Sequence, residues 1–264
     1  MRIARFLSSG RIRLGTPLNP HEAVEIIGDF PGPFSIGSAT LPIDKLLAPI
    51  LPTDILCIGL NYHAHAKETG GTVPENPMLF TKTSNALSAP LVPIIIPDCT
   101  NQIDYEAELA VVIARDAKNI SVESALEYVF GYTCANDVSA RDWQKNFNLN
   151  GGQFTRGKSF DTFAPIGPWI VTADEIPDPQ ALAITCTVSG AVLQNASTAD
   201  MIFSVRQIIA SLSRTMTIRA GSVILTGTPS GVGAARTPPR WLVAGDVVVV
   251  EIEKIGRLEN PVRN

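Results

Sequence analysis

Apolar residues come in short runs along this chain, and Gly and Pro separate them. Residues 2–6 and 11–15 read as two strands joined by Ser8-Ser9-Gly10, and residues 24–27 form another short apolar run. Ile55-Leu-Cys-Ile-Gly59 is apolar throughout, which suits a strand buried on both faces. Residues 104–113 read as a strand that starts polar and ends buried. Residues 121–130 are expected to be a helix, with Ser121 as N-cap and Glu123 in the first turn. A strand over 131–137 and a short helix over 140–147 follow. Residues 182–188 alternate apolar and polar, and Ser189-Gly190 turns into a partner strand. The clearest helical stripe is Ile202, Val205, Ile208, Ile209 and Leu212, within an expected helix over 198–212. Runs at 223–226 and 247–252 complete the strands.

Strands and helices do not alternate regularly, so the pattern predicts a mixed α/β, β-dominated fold rather than a doubly wound sheet. Pro31, Pro33, Pro42, Pro49 and Pro52 mark a connecting stretch. We therefore expect a small β-rich N-terminal domain over 1–52 and a catalytic domain over 53–264.

Composition narrows the classes of partner. Lys and Arg number 21 against 25 Asp and Glu, a net charge of −4 with no basic run, which argues against a nucleic-acid partner. Charged residues are 17% where roughly 25% is typical, so part of the surface is expected to be covered by another subunit. The longest apolar stretches, such as 91–97, are too short to span a bilayer, so no membrane partner is expected. No signal-peptide h-region follows Met1, so a cytoplasmic location is expected. Cys57, Cys99, Cys134 and Cys186 form no C-x-x-C pair and are expected to be reduced core residues.

Gly152-Gln-Phe-Thr-Arg-Gly157-Lys158-Ser159 matches a nucleotide phosphate loop. That chemistry needs a buried strand running in and a helix starting at the Lys. The segment before it is polar, and the segment after it holds Pro165 and Pro168, so a nucleotide site is disfavoured.

Asp104-Tyr-Glu106-Ala-Glu108 is more informative. In a strand these three carboxylates share one face, so either something positive lies between them or the face is wet. The buried run that follows argues against a wet edge, because acids leading into a buried strand are expensive unless they hold a metal. Oxygen ligands with no adjacent Cys or His suit Mg²⁺, Mn²⁺ or Ca²⁺, with Asp137 available as a third ligand. His63 and His65 leave two readings. One is a zinc pair, for which only His21 remains as a further histidine; the other is His65 with Glu68, one helical turn apart, as a general-base pair.

Six motifs in order carry a resemblance. They are residues 59–68, Pro77-Met-Leu-Phe-Thr-Lys82, Asp104–Glu108, Asn136-Asp137-Val-Ser-Ala-Arg141-Asp142, Arg156-Gly-Lys158-Ser-Phe-Asp161, and residues 225–233. Over about residues 53–262 the chain resembles the fumarylacetoacetate hydrolase superfamily. The likeness is to its smaller members: acylpyruvate hydrolases, oxaloacetate decarboxylases or tautomerases, and 2-hydroxyhepta-2,4-diene-1,7-dioate isomerases. The resemblance implies a distorted β-roll, a homodimer and one Mg²⁺ or Mn²⁺ per site. It implies Glu106, Glu108 and Asp137 as metal ligands, and His65 with Glu68 as the general-base pair on a lid. It implies Lys158 as the active-site lysine, and Lys82, Arg141, Gln144 and Thr228 as substrate-binding positions. Asn61 departs from the larger hydrolases, which carry a fourth acidic ligand there, and Asp104 is not a ligand position. The implied chemistry is hydrolysis of a C–C bond in an acylpyruvate, or decarboxylation of an oxaloacetate-like acid. A keto–enol tautomerase of a 2-oxo diacid is the alternative, and a non-catalytic family member is a further rival.

Overall fold

A computed structural model describes residues 1–145 and 152–264. Four strands, β1 (Arg2–Ser8), β2 (Arg11–Asn19), β3 (Glu22–Gly28) and β4 (Phe34–Pro42), form an antiparallel meander. The next strands are β5 (Ile55–Gly59), β6 (Met78–Lys82), β7 (Ala107–Ile113), β8 (Val129–Asn136) and β9 (Ala164–Thr172). They are followed by β10 (Ala183–Val188), β11 (Ala191–Ser197), β12 (Val223–Leu225), β13 (Val247–Ile252) and β14 (Gly256–Arg263). The main sheet runs β4-β3-β2-β1-β9-β8-β7-β12-β5-β6, and β12 lies parallel to β5. The meander joins it through two residue pairs, Arg2 with Val171 and Ile3 with Ile170. A second sheet runs β11-β10-β13-β14 and ends on Ile94–Ile95.

The predicted β-dominated mixed fold is present. Strand β7, Ala-Glu-Leu-Ala-Val-Val-Ile, is buried at every residue because it lies between β8 and β12 and also packs against β10 and β13 of the second sheet. Ile55–Gly59 is a strand of the main sheet, and Ser189-Gly190 turns β10 into β11.

Three expectations need correction. Residues 121–130 are not a helix: a single 3₁₀ turn, Ala125–Tyr128, leads directly into β8. Val129 pairs with Ile113, so ladder bonds to β7 override the local helical pattern. The helix expected over 198–212 begins later, as α4 (Val205–Thr215), after a 3₁₀ turn Thr198–Asp200. Ser204 is its N-cap in a reciprocal capping box with Gln207, while the Ile202 and Phe203 N–H groups are taken by Asn61. Cys99 is exposed, whereas Cys57, Cys134 and Cys186 are buried. The expected helix over 140–147 is described as α2 (Arg141–Lys145), and residues 146 and 147 lie outside the described residues.

The sequence reading placed no strand at β9, where Pro165 and Pro168 counted only against a helix. Pro168 falls where the register of β8 against β9 shifts, between the Cys134–Gly167 and Tyr132–Val171 pairs.

Candidate active site

The site is built where β7 begins and β8 ends. Ala107 pairs with Asn136, so Glu106 and Asp137 are neighbours across the strand ends, and the Asp137 N–H donates to the Glu106 carbonyl at 2.9 Å. One oxygen from each of Glu106, Glu108 and Asp137 can be chosen so that all three lie within 4.8 Å of one another. Among the described residues this is the group of three or more His, Cys, Asp or Glu side chains placed to hold a metal ion.

Cations surround two of these carboxylates. Lys158 Nζ donates to Glu106 Oε2 at 2.5 Å and to Asp137 Oδ2 at 2.6 Å. Lys82 Nζ donates to Asp137 Oδ1 at 2.5 Å and to the Val138 carbonyl at 3.0 Å. Arg141 Nη2 donates to Glu106 Oε1 at 2.6 Å, its Nε to Asp104 Oδ2 at 2.8 Å, and its Nη1 to Gln144 Oε1 at 2.9 Å. The positive group that the alternating acids called for is therefore Arg141, which bridges Asp104 and Glu106. Asp104 also accepts the Gly233 and Ala234 N–H groups, so it fastens the 231–235 loop.

Glu108 is the exception. It is buried, accepts the Gly227 N–H at 2.7 Å, and has no cation in ion-pair contact among the described residues. Burial, and then the charges of Asp137 and Glu106, push its carboxyl well above the usual range. Burial would do the same to Glu106, but Arg141 and Lys158 hold that carboxyl well below it. Lys158 is buried, which alone would lower its ammonium, yet Asp137 and Glu106 raise it above the ordinary lysine range. One uncompensated carboxylate beside two compensated ones suits a hard divalent cation, which would supply the missing charge through oxygen donors of the right class.

The remaining predicted residues converge on the same place. A cavity of about 200 Å³ is lined by His65, Glu106, Glu108, Arg141, Gln144, Lys158 and Thr228. Lys82 is absent from that lining and braces Asp137 instead. Glu68 lines an adjoining cavity of about 350 Å³ that shares His65 and Arg141. His65 and Glu68 lie one turn apart on α1 (His63–Glu68), with His65 Nδ1 and Glu68 Oε1 at 2.7 Å. The Glu68 carboxylate also accepts the Gly231 N–H at 2.9 and 3.0 Å. His63 is exposed while His65 is buried, so the two do not face a common ligand as a zinc pair would. A separate cavity of about 490 Å³ lies on the N-terminal meander, with Arg5, Arg13, Glu25 and Asp29 on its wall, away from this cluster.

Lys158 closes α3 (Phe154–Lys158) instead of opening a helix, and its ammonium is held by two carboxylates. That geometry agrees with the sequence reading, which disfavoured a phosphate loop. Gly157 matters for packing: a Cβ there would press into the Gln144 N–H and the Ala140 carbonyl, so α3 lies against α2 only with glycine. Asn61, the departure from the larger hydrolases, has both ends of its carboxamide engaged. Nδ2 donates to the Phe203 and Thr226 carbonyls, and Oδ1 accepts the Phe203 N–H.

Residues 54–263 match the family described as Fumarylacetoacetate (FAA) hydrolase C-terminal. The chain belongs to the fumarylacetoacetate hydrolase family. It is 47% identical over 240 residues to a fumarylacetoacetate hydrolase domain-containing protein 2 homolog of Dictyostelium discoideum, covering 87% of this chain and 78% of that protein. It is 49% identical over 219 residues to a mitochondrial oxaloacetate tautomerase of Xenopus laevis, covering 83% and 68%. A solved 2-hydroxyhepta-2,4-diene-1,7-dioate isomerase from Mycobacterium marinum is 38% identical with a TM-score of 0.86, over 100% of this chain and 98% of that one. Like these relatives, this member of the fumarylacetoacetate hydrolase family is an enzyme. No helix among the described residues is long and apolar enough to cross a membrane.

Sequence reasoning missed Gln194, Gly227 and Gly231 as builders of this site. The signal available for Gln194 was a polar residue at a strand position where alternation puts it inward; for the glycines it was only their density in residues 225–233.

Proposed function

We propose that this enzyme interconverts the keto and enol forms of a 2-oxo diacid of the oxaloacetate kind, with Mg²⁺ or Mn²⁺ held by Glu106, Glu108 and Asp137. The observation that carries the reading is the convergence of that carboxylate cluster with Lys158 and the His65–Glu68 pair on one small cavity. The tautomerase named among the 49%-identical relatives supports the reaction class. A bound divalent cation supplies Lewis-acid polarisation of a carbonyl oxygen.

The chain's own residues do the rest. The Glu68 carboxylate can only accept, so His65 presents its proton on Nδ1 to Glu68 and keeps Nε2 free as a base. His65 Nε2 takes the proton from the carbon next to the keto group, the C–H electron pair becomes the C=C bond as the carbonyl π pair moves onto oxygen, and the imidazolium then gives the proton to that oxygen; ketonisation runs the same steps in reverse. The Thr228 hydroxyl and the Gln144 amide bind the substrate carboxylate, and the Lys158 ammonium holds Glu106 and Asp137 in place. A second reading, C–C hydrolysis of an acylpyruvate, is favoured by the same His65–Glu68 pair, which can equally activate a water. A homodimer in the cytoplasm belongs to the proposal; the low charge and the exposed Ile12, Leu18, Ile27 and Ile36 support a covered face on the meander.

The test is a panel of oxaloacetate, acylpyruvates and hydroxymuconate-type diacids, with and without Mg²⁺, followed by absorbance. We expect cation-dependent ketonisation of enol-oxaloacetate, lost about 100-fold or more in H65A while Mg²⁺ affinity by calorimetry is kept. Acylpyruvate cleavage outpacing tautomerisation would install the second reading. Equal losses of turnover and metal affinity in H65A would remove the base role.

A further inference from the structure

We infer that Gln194, outside the cavity, sets the hydrogen-bond polarity of Thr228 and so makes that hydroxyl a donor to the substrate carboxylate. The inference rests on the carboxylate-binding role proposed above for Thr228 and names the residue that equips it.

Gln194 sits on β11 in the second sheet and is 1% exposed. The register of β10 against β11 shifts beside it: Cys186 pairs with Gln194 and Thr187 with Val192, which leaves Leu193 as the extra residue. Such a bulge re-aims the adjacent side chain. Here it sends the Gln194 carboxamide across to the main sheet, where it makes three contacts. Oε1 accepts the Ala107 N–H at 2.9 Å, between the two glutamates of the carboxylate cluster. Nε2 donates to the Pro229 carbonyl at 2.8 Å and to Thr228 Oγ1 at 2.8 Å.

The orientation of the amide is not open to choice. A backbone N–H at one end demands the oxygen, and a backbone carbonyl at the other demands the nitrogen. Thr228 Oγ1 therefore receives a hydrogen from Gln194. A hydroxyl that accepts keeps one proton to give. Among the described residues no protein group accepts that proton, and Thr228 lines the 200 Å³ cavity. The Thr228 hydroxyl is thus left as a donor in the cavity wall, which suits an anionic oxygen of a carboxylate. Gln194 touches no reacting atom and is a positioning residue. Through Ala107 it also ties the start of β7, which carries Glu106 and Glu108, to the loop that carries Thr228, so the two halves of the site keep one spacing.

The test uses the full-length enzyme and separates KM from kcat. Q194M removes both donation and acceptance at similar volume, and Q194E keeps the Oε acceptor for Ala107 but cannot donate when ionised. Each is expected to raise KM for oxaloacetate about 10- to 100-fold, the range for a hydrogen bond to a charged group, with kcat changed less than about threefold. T228V should raise KM similarly, T228S, which keeps a hydroxyl, should raise it less than T228V, and the Q194M/T228V double variant should be no worse than either alone. Mg²⁺ affinity measured without substrate should stay within about threefold in Q194E. A wild-type KM in Q194E, or multiplicative effects in the double variant, would overturn the inference and leave the proposed reaction standing. A kcat loss at unchanged KM would also overturn it, as a merely structural role. Wild-type enzyme inactive on every 2-oxo acid would overturn the proposed function, and this inference with it.

Discussion

Replacing Glu108 by Gln separates what the carboxylate cluster does for the fold from what it does for a cation. Glu106 and Asp137 share Lys82, Arg141 and Lys158, whereas Glu108 holds only the Gly227 N–H. Ligand oxygens of the three lie within 4.8 Å, so each like-charge pair that Glu108 makes opposes folding by about 3 kcal/mol at an effective dielectric of ~20. The three cations around Glu106 and Asp137 offset much of that, leaving roughly 1–3 kcal/mol. Gln keeps the acceptor for Gly227 and the side-chain volume while removing the charge. At alkaline pH, where Glu108 is ionised, E108Q is therefore expected to be more stable than wild type in EDTA by roughly 1–3 kcal/mol, a rise in Tm of about 2–10 °C, with the gap closing as pH falls and the raised Glu108 carboxyl takes up a proton. The order should reverse with cation. Binding at a hundredfold excess over Kd stabilises by about 2.7 kcal/mol, so Mg²⁺ or Mn²⁺ should raise the Tm of wild type and leave E108Q unmoved. Thermal and urea unfolding in EDTA, then across a cation titration, measures both arms. E108Q less stable than wild type in EDTA at alkaline pH would refute the Coulomb argument, and equal cation-induced shifts in both proteins would remove Glu108 from the ligand set.

Two further perturbations probe the supports of the site and of the second sheet. G231A places a Cβ against the Leu193 carbonyl at a residue with φ of +102°, and Gly231 is also the residue whose N–H anchors Glu68. It should lower stability by about 2–4 kcal/mol in urea and reduce turnover more than Mg²⁺ affinity; an unchanged denaturation midpoint would contradict the close approach. Asp246 accepts two hydrogen bonds from Arg240 Nη2 at 2.7 and 2.8 Å, the Val243 N–H at 2.9 Å and the Ser189 hydroxyl at 2.7 Å. Burial alone would raise this carboxyl, but those hydrogen bonds and Arg240 hold it below the usual range. A depressed carboxyl stabilises above its unfolded pKa and loses that contribution as pH falls through the folded value. D246N should thus be about 2 kcal/mol less stable near pH 7, with the gap closing below the ordinary carboxylate range; a gap that widens in acid would refute the assignment.

Local reading succeeded where one residue pattern has one physical meaning. The uninterrupted apolar runs at 55–59 and 247–250 are strands, and the β-dominated fold class follows from many short runs between Gly and Pro. The single strand expected over residues 104–113 is not formed: Asp104 belongs to a separate short strand, Ile103–Asp104, and the long strand starts only at Ala107, so the three acids do not share one strand face. Nor did their alternation foretell that Asp104 turns to Gly233 and Ala234, because that depends on a loop more than a hundred residues away. The helix expected over 121–130 failed for a related reason: its last residues pair with β7, and ladder bonds to a distant strand are invisible to a helical pattern. Lys158 shows the same limit in a motif, since a phosphate loop differs from this site only in what lies around the Lys.

Chemistry-bearing residue types, their order and the family they mark were fixed by the chain itself, because a motif is a local property of adjacent residues. Placing Glu106, Glu108 and Asp137 within reach of one cation, leaving Glu108 without a counter-charge, and threading Gln194 from the second sheet to Thr228 took the tertiary structure. Those arrangements come from strand register, a bulge and turn glycines, which set distances between residues far apart in sequence and leave little local trace.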